Sequence, residues 1–262
     1  MRNSAYKREG DLGYVRNFRK RIGRPGSTPV IFAALGLLLC GIIFCGEAKG
    51  LDLYFVRHAE TVANATGQYT KKAQETFSKE GESQISDLTK SLNGYKFDVI
   101  CVSPQKRAIN TILPYLRKNN ATAEIWPELD ECCYQDNRNV QPSAAAFANG
   151  ASIVLDAKDQ KYLRLRDPAM KYFYADGNYA DGMLRIQKAR DLLIERFGRS
   201  ESSILIVGHY LSGGRLIEML MGLKSVGKQS PGNARLWHLR EKPDGTFELI
   251  RFNIYPAEKY LE

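Results

Sequence analysis

Residues 51–56 read Leu-Asp-Leu-Tyr-Phe-Val, and the chain continues directly into Arg57-His58-Ala59-Glu60-Thr61. A short apolar run of this kind is a buried strand. This one ends by delivering an arginine and a histidine side by side. In α/β proteins the C-terminal ends of strands are where ligands bind. Arginine offers a planar fork matched to phosphate oxygens. Histidine serves as nucleophile or acid–base near neutral pH. The chain has 3 histidines in all, so one in this position is informative.

From residue 51 onward, strand and helix signals alternate, which predicts a layered α/β domain. Strands are expected at Leu51–Val56, Phe97–Val102, Ala123–Trp126 and Ile204–Val207. Ser78 can cap a helix reaching Leu92, and Asn93-Gly94 ends it. Ser103-Pro104 opens a helix over about 105–118. Asp181–Phe197 is amphipathic, with Met183, Ile186, Ala189, Leu193 and Phe197 at helical spacing. Residues 211–223 read as a helix. Ala234–Leu239 and Phe247–Phe252 read as a closing hairpin around Asp244-Gly245. Residues 132–180 carry the weakest signals, with a short helix near Ala144–Phe147. They are expected to form an insertion over the mouth of the domain.

The N-terminal region differs in kind. Residues 1–28 are basic and lack periodicity, which predicts a disordered tail. Pro29 to Cys45 carries no charge. As a helix it would be about 26 Å long, enough for a bilayer core. Residues 29–46 are therefore expected to be a transmembrane helix or signal-anchor. The basic tail predicts a cytoplasmic N-terminus, with residues 51–262 on the other side. Cleavage near Ala48, releasing a secreted domain, is the alternative. Leu39 before Cys40 and Phe44 before Cys45 are too bulky for lipoprotein processing.

The net charge of +9 belongs mostly to this region. Residues 1–50 hold nine Lys/Arg against three Asp/Glu, leaving 29 against 26 in the remainder. That balance gives no support to nucleic-acid binding. The 5 cysteines form no disulfide framework and no zinc-ligand spacing. Cys101, Cys132 and Cys133 are expected to be free, the alternative being a bond from Cys101 to one of the pair.

Three strand ends carry polar residues suited to the same chemistry. They are Arg57-His58, then Ser103-Pro104-Gln105-Lys106-Arg107-Ala108, then Gly208-His209. Two arginines and two histidines on one sheet edge make a cationic pocket for a phosphate dianion. One histidine can attack phosphorus while the others neutralise its oxygens. The leaving oxygen needs a proton, and Glu128-Leu129-Asp130-Glu131 supplies candidate acids. His238 has no such context and reads as structural or surface. Lys71-Lys72 read as a solvated loop. Asn64-Ala65-Thr66 and Asn120-Ala121-Thr122 match the glycosylation sequon; a glycan at Asn64 would block the pocket.

Arg57-His58-Ala59-Glu60-Thr61-x-x-Asn64 resembles the RHG(E)T-x-x-N signature of the histidine phosphatase superfamily, the phosphoglycerate mutase-like proteins of branch 1. Ser103-Pro104-x-x-Arg107-Ala108-x-x-Thr111, Ser78-x-x-Gly81-x-x-Gln84, Leu129-Asp130-Glu131 and Val207-Gly208-His209 resemble its other blocks, in family order over roughly residues 51–255. The resemblance implies a three-layer α/β/α sandwich with a mostly parallel central sheet. It implies that His58 is the nucleophile, that Arg57, Arg107, His209 and Asn64 hold phosphate, and that Glu131 is the proton donor, with Asp130 and Glu128 as rivals. It implies no metal and no organic cofactor. The substrate would be a phosphorylated small molecule or a phosphoprotein. A mutase and a non-catalytic phosphate-recognition module are the alternatives. Ala59 departs from the family glycine. Cys132-Cys133 stands where mutases have a glycine-rich continuation, and Tyr210 after His209 disfavours the acid phosphatase branch.

Overall fold

A computed structural model describes residues 50–133 and 150–254. The N-terminal tail, the apolar run at 29–46 and the helix expected near 144–147 lie outside the described residues. Among the described residues no helix is long and apolar enough to cross a membrane.

The described residues open with β1 (Asp52–Arg57) and two five-residue helices, α1 (Val62–Thr66) and α2 (Lys71–Glu75). These are followed by α3 (Lys79–Ser91), β2 (Val99–Val102), α4 (Lys106–Asn119) and β3 (Ala123–Ile125). A 3-10 turn, Pro127–Leu129, leads into the acidic loop. Beyond the undescribed stretch come β4 (Leu163–Leu165), α5 (Tyr179–Phe197), β5 (Ser203–Gly208) and α6 (Leu211–Leu220). The hairpin of β6 (Leu236–Glu241) and β7 (Phe247–Ile254) closes the domain.

The seven strands form one sheet in the order β4-β3-β2-β5-β1-β6-β7. The first five of that order run parallel. β6 and β7 add an antiparallel edge. Successive side chains on a strand point to opposite faces, and the core divides accordingly. Leu53, Phe55, Cys101, Ile204 and Ile206 pack with residues of α5 and α6. Val56, Ile100, Val102, Leu205 and Val207 pack with residues of α3 and α4. Helices therefore cover both faces, the three-layer sandwich expected from the sequence. Both β1 and β2 flank β5, so the ends of these three strands converge.

Lys71 and Lys72, read from the sequence as a solvated loop, are exposed residues that begin α2, and two further details differ from the sequence reading. β4 pairs with β3 at the sheet edge, so part of the expected insertion is built into the sheet. Cys132 and Cys133 are disulfide-bonded to each other, while Cys101 is free and buried. The expectation of three free thiols, and its alternative of a bond to Cys101, are both corrected. Cys101 lies on β2 inside the core, whereas the other two are chain neighbours.

Candidate active site

β1 lies next to the central strand β5, and its end places Arg57 and His58 beside Gly208, with which Arg57 is in register. His58 is buried, and its Nδ1 lies 2.8 Å from the carbonyl oxygen of Ala59. A carbonyl only accepts, so Nδ1 carries the proton and the lone pair is on Nε2. Burial, then the Arg107 and Arg57 charges, hold this imidazole well below its ordinary pKa. The ring is therefore neutral at physiological pH and its Nε2 is free of a proton.

The loop after β1 that carries His58 is held by the helices behind it. The backbone N–H of Ala59 donates to Thr111 Oγ1 at 3.0 Å, and that hydroxyl donates to the carbonyl of Arg107 at 2.7 Å. The next N–H, of Glu60, donates to Gln84 Oε1 at 2.9 Å. Ser78 caps α3 and also donates to Glu60 Oε1 at 2.7 Å. A Cβ on Gly81 would lie 1.9 Å from the Glu60 carbonyl oxygen, so only glycine permits this approach. Threonine, glutamine, serine and glycine of the two sequence blocks thus act through the loop rather than on a ligand. Ala59 is not among the residues with positive φ, so its methyl group brings no backbone strain.

Arg107 is buried in the first turn of α4, and its Nη1 donates to Gln105 Oε1 at 3.4 Å. Arg57 donates to the carbonyl of Pro231 at 3.3 Å, and its guanidinium lies 4.8 Å from the centre of the Tyr210 ring. Its Nε is buried without a hydrogen-bond partner among the described residues. The His58 and His209 rings are 5.3 Å apart. His209 is fully buried at the end of β5, with Nε2 2.7 Å from Ser103 Oγ and Nδ1 unpartnered among the described residues. Burial and the Arg107 charge depress its pKa as well. If the Ser103 hydroxyl donates to Nε2, Nδ1 bears a proton that an anion's oxygen can accept. Two arginines, together with a guanidine N–H and an imidazole nitrogen that have no partner among the described residues, therefore lie around His58. Among the described residues no cluster of His, Cys, Asp and Glu could hold a metal ion.

Asn64 is one layer back. Its Oδ1 accepts from the Thr61 N–H at 3.1 Å, closing the cap of α1, and from Asn233 Nδ2 at 3.3 Å. Asn233 also donates to the His58 carbonyl at 2.9 Å. The sequence reading missed Asn233; it lies 175 positions from His58, and no local pattern marks it.

The three candidate acids are separated by their partners. Glu128 is fully buried and bound by Arg166 at 2.8 Å and the Tyr174 hydroxyl at 3.2 Å. That places it in a structural cluster. Asp130 accepts from Gln105 Nε2 and from the Glu131 N–H, both at 2.7 Å. Burial raises its pKa above the ordinary carboxylate value. Glu131 Oε1 accepts from the N–H groups of Cys132 (3.1 Å) and Ser212 (2.8 Å). Its Oε2 accepts from those of Tyr210 (3.2 Å) and Leu211 (3.3 Å). Glu131 is thus bonded to the start of α6 directly after His209, and its charge is felt at Arg57.

The loop carrying these acids is clamped by Arg185 of α5, another residue the sequence reading missed. Its guanidinium donates to the carbonyls of Glu128 (3.0 Å), Asp130 (2.8 Å) and Glu131 (3.3 Å), and pairs with Asp176 at 2.6 Å. A signal existed: Arg185 falls on the buried stripe of an amphipathic helix, between Gly182 and Ala189. By contrast His238 stacks 4.3 Å from Tyr54 and bonds Asp52 at 2.7 Å, in the structural role expected of it.

A mostly parallel sheet covered on both faces, with an Arg-His pair ending one strand and a second histidine ending its neighbour, defines a protein of the phosphoglycerate mutase-like fold. The chain belongs to the histidine phosphatase superfamily (branch 1), whose profile matches residues 53–254. The adenosylcobalamin/alpha-ribazole phosphatase of Escherichia coli (strain K12) is 33% identical over 86 residues, which are 33% of this chain and 42% of that protein. The match thus spans under half the length of that relative. The crystal structure of the alpha-ribazole phosphatase from Shigella flexneri covers 78% of this chain and 96% of its own, with a TM-score of 0.54 and 20% identity. A phosphoserine phosphatase from Entamoeba histolytica, in complex with phosphoserine, covers 78% and 98%, with a TM-score of 0.53 and 19% identity. At these identities the structural likeness speaks for the fold alone.

Proposed function

We propose that this protein is a phosphomonoester hydrolase working through a phosphohistidine at His58. The observation that carries the reading is the His58 ring, buried, neutral and tied through Nδ1 to the Ala59 carbonyl. Its Nε2 lone pair attacks phosphorus in line, and the bond from phosphorus to the ester oxygen breaks. Arg57, Arg107 and His209 neutralise the charge on the equatorial oxygens, with Asn64 supporting the loop. The leaving oxygen takes a proton from Glu131. Water then attacks the phosphohistidine, giving its proton to the same carboxylate and freeing inorganic phosphate and His58. The names of the family relatives support hydrolysis as the outcome.

A specific observation favours a second reading of the acid. Both Glu131 oxygens already accept backbone N–H groups, and a carboxylate has about four acceptor sites. Asp130, kept protonated more readily by burial and linked through Gln105 to Arg107, is then the donor.

The test is phosphate release by the purified protein from a panel of small phosphomonoesters and phosphopeptides, beside His58→Ala. Release by the wild type and acid-labile phosphate trapped on His58 are expected. Transfer of phosphate to an added hydroxyl acceptor in place of water would make it a mutase. Binding without release would make it a recognition module.

Residues 29–46 are proposed to anchor the protein in a membrane, with the N-terminus cytoplasmic and the catalytic domain on the opposite side. The support is the uncharged run after a basic tail. Protease added to sealed cells or vesicles should digest the domain only from the non-cytoplasmic side. A soluble product beginning near Lys49 would establish cleavage instead.

A further inference from the structure

Beside Arg107 a cleft of about 260 Å³ opens between α2, the start of α4 and the segments around residues 151–154 and 173. Lys71 and Lys106 are exposed on its wall, and neither has an ion pair among the described residues. Among the described residues Glu75 is the single acidic one lining it. Gln74 lines the same cleft, is only 5% exposed, and its Nε2 has no hydrogen-bond partner among the described residues. Phe173 and Val154 supply apolar surface, and Val154 is 73% exposed.

These features exceed what a phosphoryl group requires. Arg107 serves the phosphate. The two lysines are left over, and an ammonium recognises an anion as a point charge. Gln74 offers an amide donor that an acceptor oxygen would satisfy, and a buried donor without a partner is costly. An exposed valine next to a phenylalanine fits an apolar portion of a ligand.

Resting on the phosphatase reading, we infer that this cleft receives the leaving group, and that the leaving group carries a second anionic group, carboxylate or phosphate, on an apolar body. Lys71 and Lys106 bind that second anion, Gln74 donates to one of its oxygens, and Val154 and Phe173 cover the apolar part. A neutral leaving group such as a simple sugar hydroxyl leaves both lysines unused.

The test uses the full chain and three aryl phosphates: 4-carboxyphenyl phosphate, its neutral 4-carbamoylphenyl counterpart, and 1,4-phenylene bisphosphate. Two exposed ion pairs of ordinary surface strength give about fivefold preference. The expected result is a kcat/KM for at least one anionic substrate about fivefold above the neutral one, expressed in KM. That ratio should fall toward unity in the Lys71→Ala/Lys106→Ala double variant and at high salt, and below unity in Gln74→Glu. Which anion is preferred tells carboxylate from phosphate. A wild-type ratio of one or less, or a preference untouched by the lysine changes, overturns the inference while leaving hydrolysis intact. Absence of hydrolysis with all three substrates counts against the phosphatase reading. In that event calorimetric binding of the same three compounds to the full chain makes the comparison without turnover, and equal affinities overturn the inference.

Discussion

The Nδ1–H of His58 donates to the carbonyl oxygen of Ala59 at 2.8 Å, so the neighbouring peptide unit selects which ring nitrogen keeps its lone pair. His58→Ala removes that nitrogen and should lower phosphate release by about 10³-fold or more. Phosphate still trapped as acid-labile label on the variant would place the nucleophile elsewhere.

All three histidines are pulled below their ordinary pKa, His58 and His209 strongly. An unfolded chain protonates histidine near pH 6.5 and the folded one resists, so the unfolded state binds more protons as pH falls. Stability is therefore full above the unfolded value and lost below it. Each strongly shifted ring contributes a slope of up to about 1.4 kcal/mol per pH unit there. Asp130, raised by burial, works in the opposite direction, one group against three. Thermal melts of the protein from about pH 7 to pH 5 should show Tm falling; a flat or rising Tm would contradict a neutral buried pair.

The two acid assignments part on leaving groups. Glu131→Gln should slow hydrolysis of alkyl phosphates by about 10²–10⁴-fold, and of p-nitrophenyl phosphate, whose leaving group needs no proton, far less. Asp130→Asn should then have the smaller effect on the ratio of the two substrates. The opposite pattern assigns proton donation to Asp130.

Arg185→Met breaks a buried ion pair with Asp176 and frees three carbonyls of the acid-bearing loop. Removing one partner of such a pair costs about 3–5 kcal/mol. Denaturant unfolding should show that loss. Activity on alkyl phosphates should drop more than on p-nitrophenyl phosphate, since the position of the proposed acid, not that of His58, is disturbed.

Thr111→Val keeps the shape but leaves the Ala59 N–H, buried beside His58, without its acceptor. The expected cost is about 1–3 kcal/mol of stability, with kcat reduced. A variant as stable and active as wild type would show that Thr111 does not hold the loop.

The sheet and its main helices were legible because their apolar residues repeat at strand or helix spacing over enough positions. Ile204–Val207 and the stripe from Met183 to Phe197 each fix an element and the face it buries. The five-residue helices α1 and α2 have no such repeat; the Thr61 and Thr70 caps make them. β4 was hidden because three residues pairing at a sheet edge leave almost no alternation to read. Within the site, Arg57, His58, Arg107 and His209 were legible as strand-end and first-turn residues. Asn233 and Arg185 were not, because both act through backbone carbonyls of distant segments, and such contacts leave no spacing in the chain. The Cys132–Cys133 bond escaped for the contrary reason, since neighbours in sequence are rarely partners in a bridge.

Thr111 from α4 and Gln84 from α3 each reach the loop after β1, accepting from the consecutive N–H groups of Ala59 and Glu60. The site is consequently not a detachable patch. Its geometry shares one cooperative fate with both helices and the central strand. Catalytic competence and the folded baseline should disappear together along a denaturant titration, which makes turnover a direct readout of how much native protein remains.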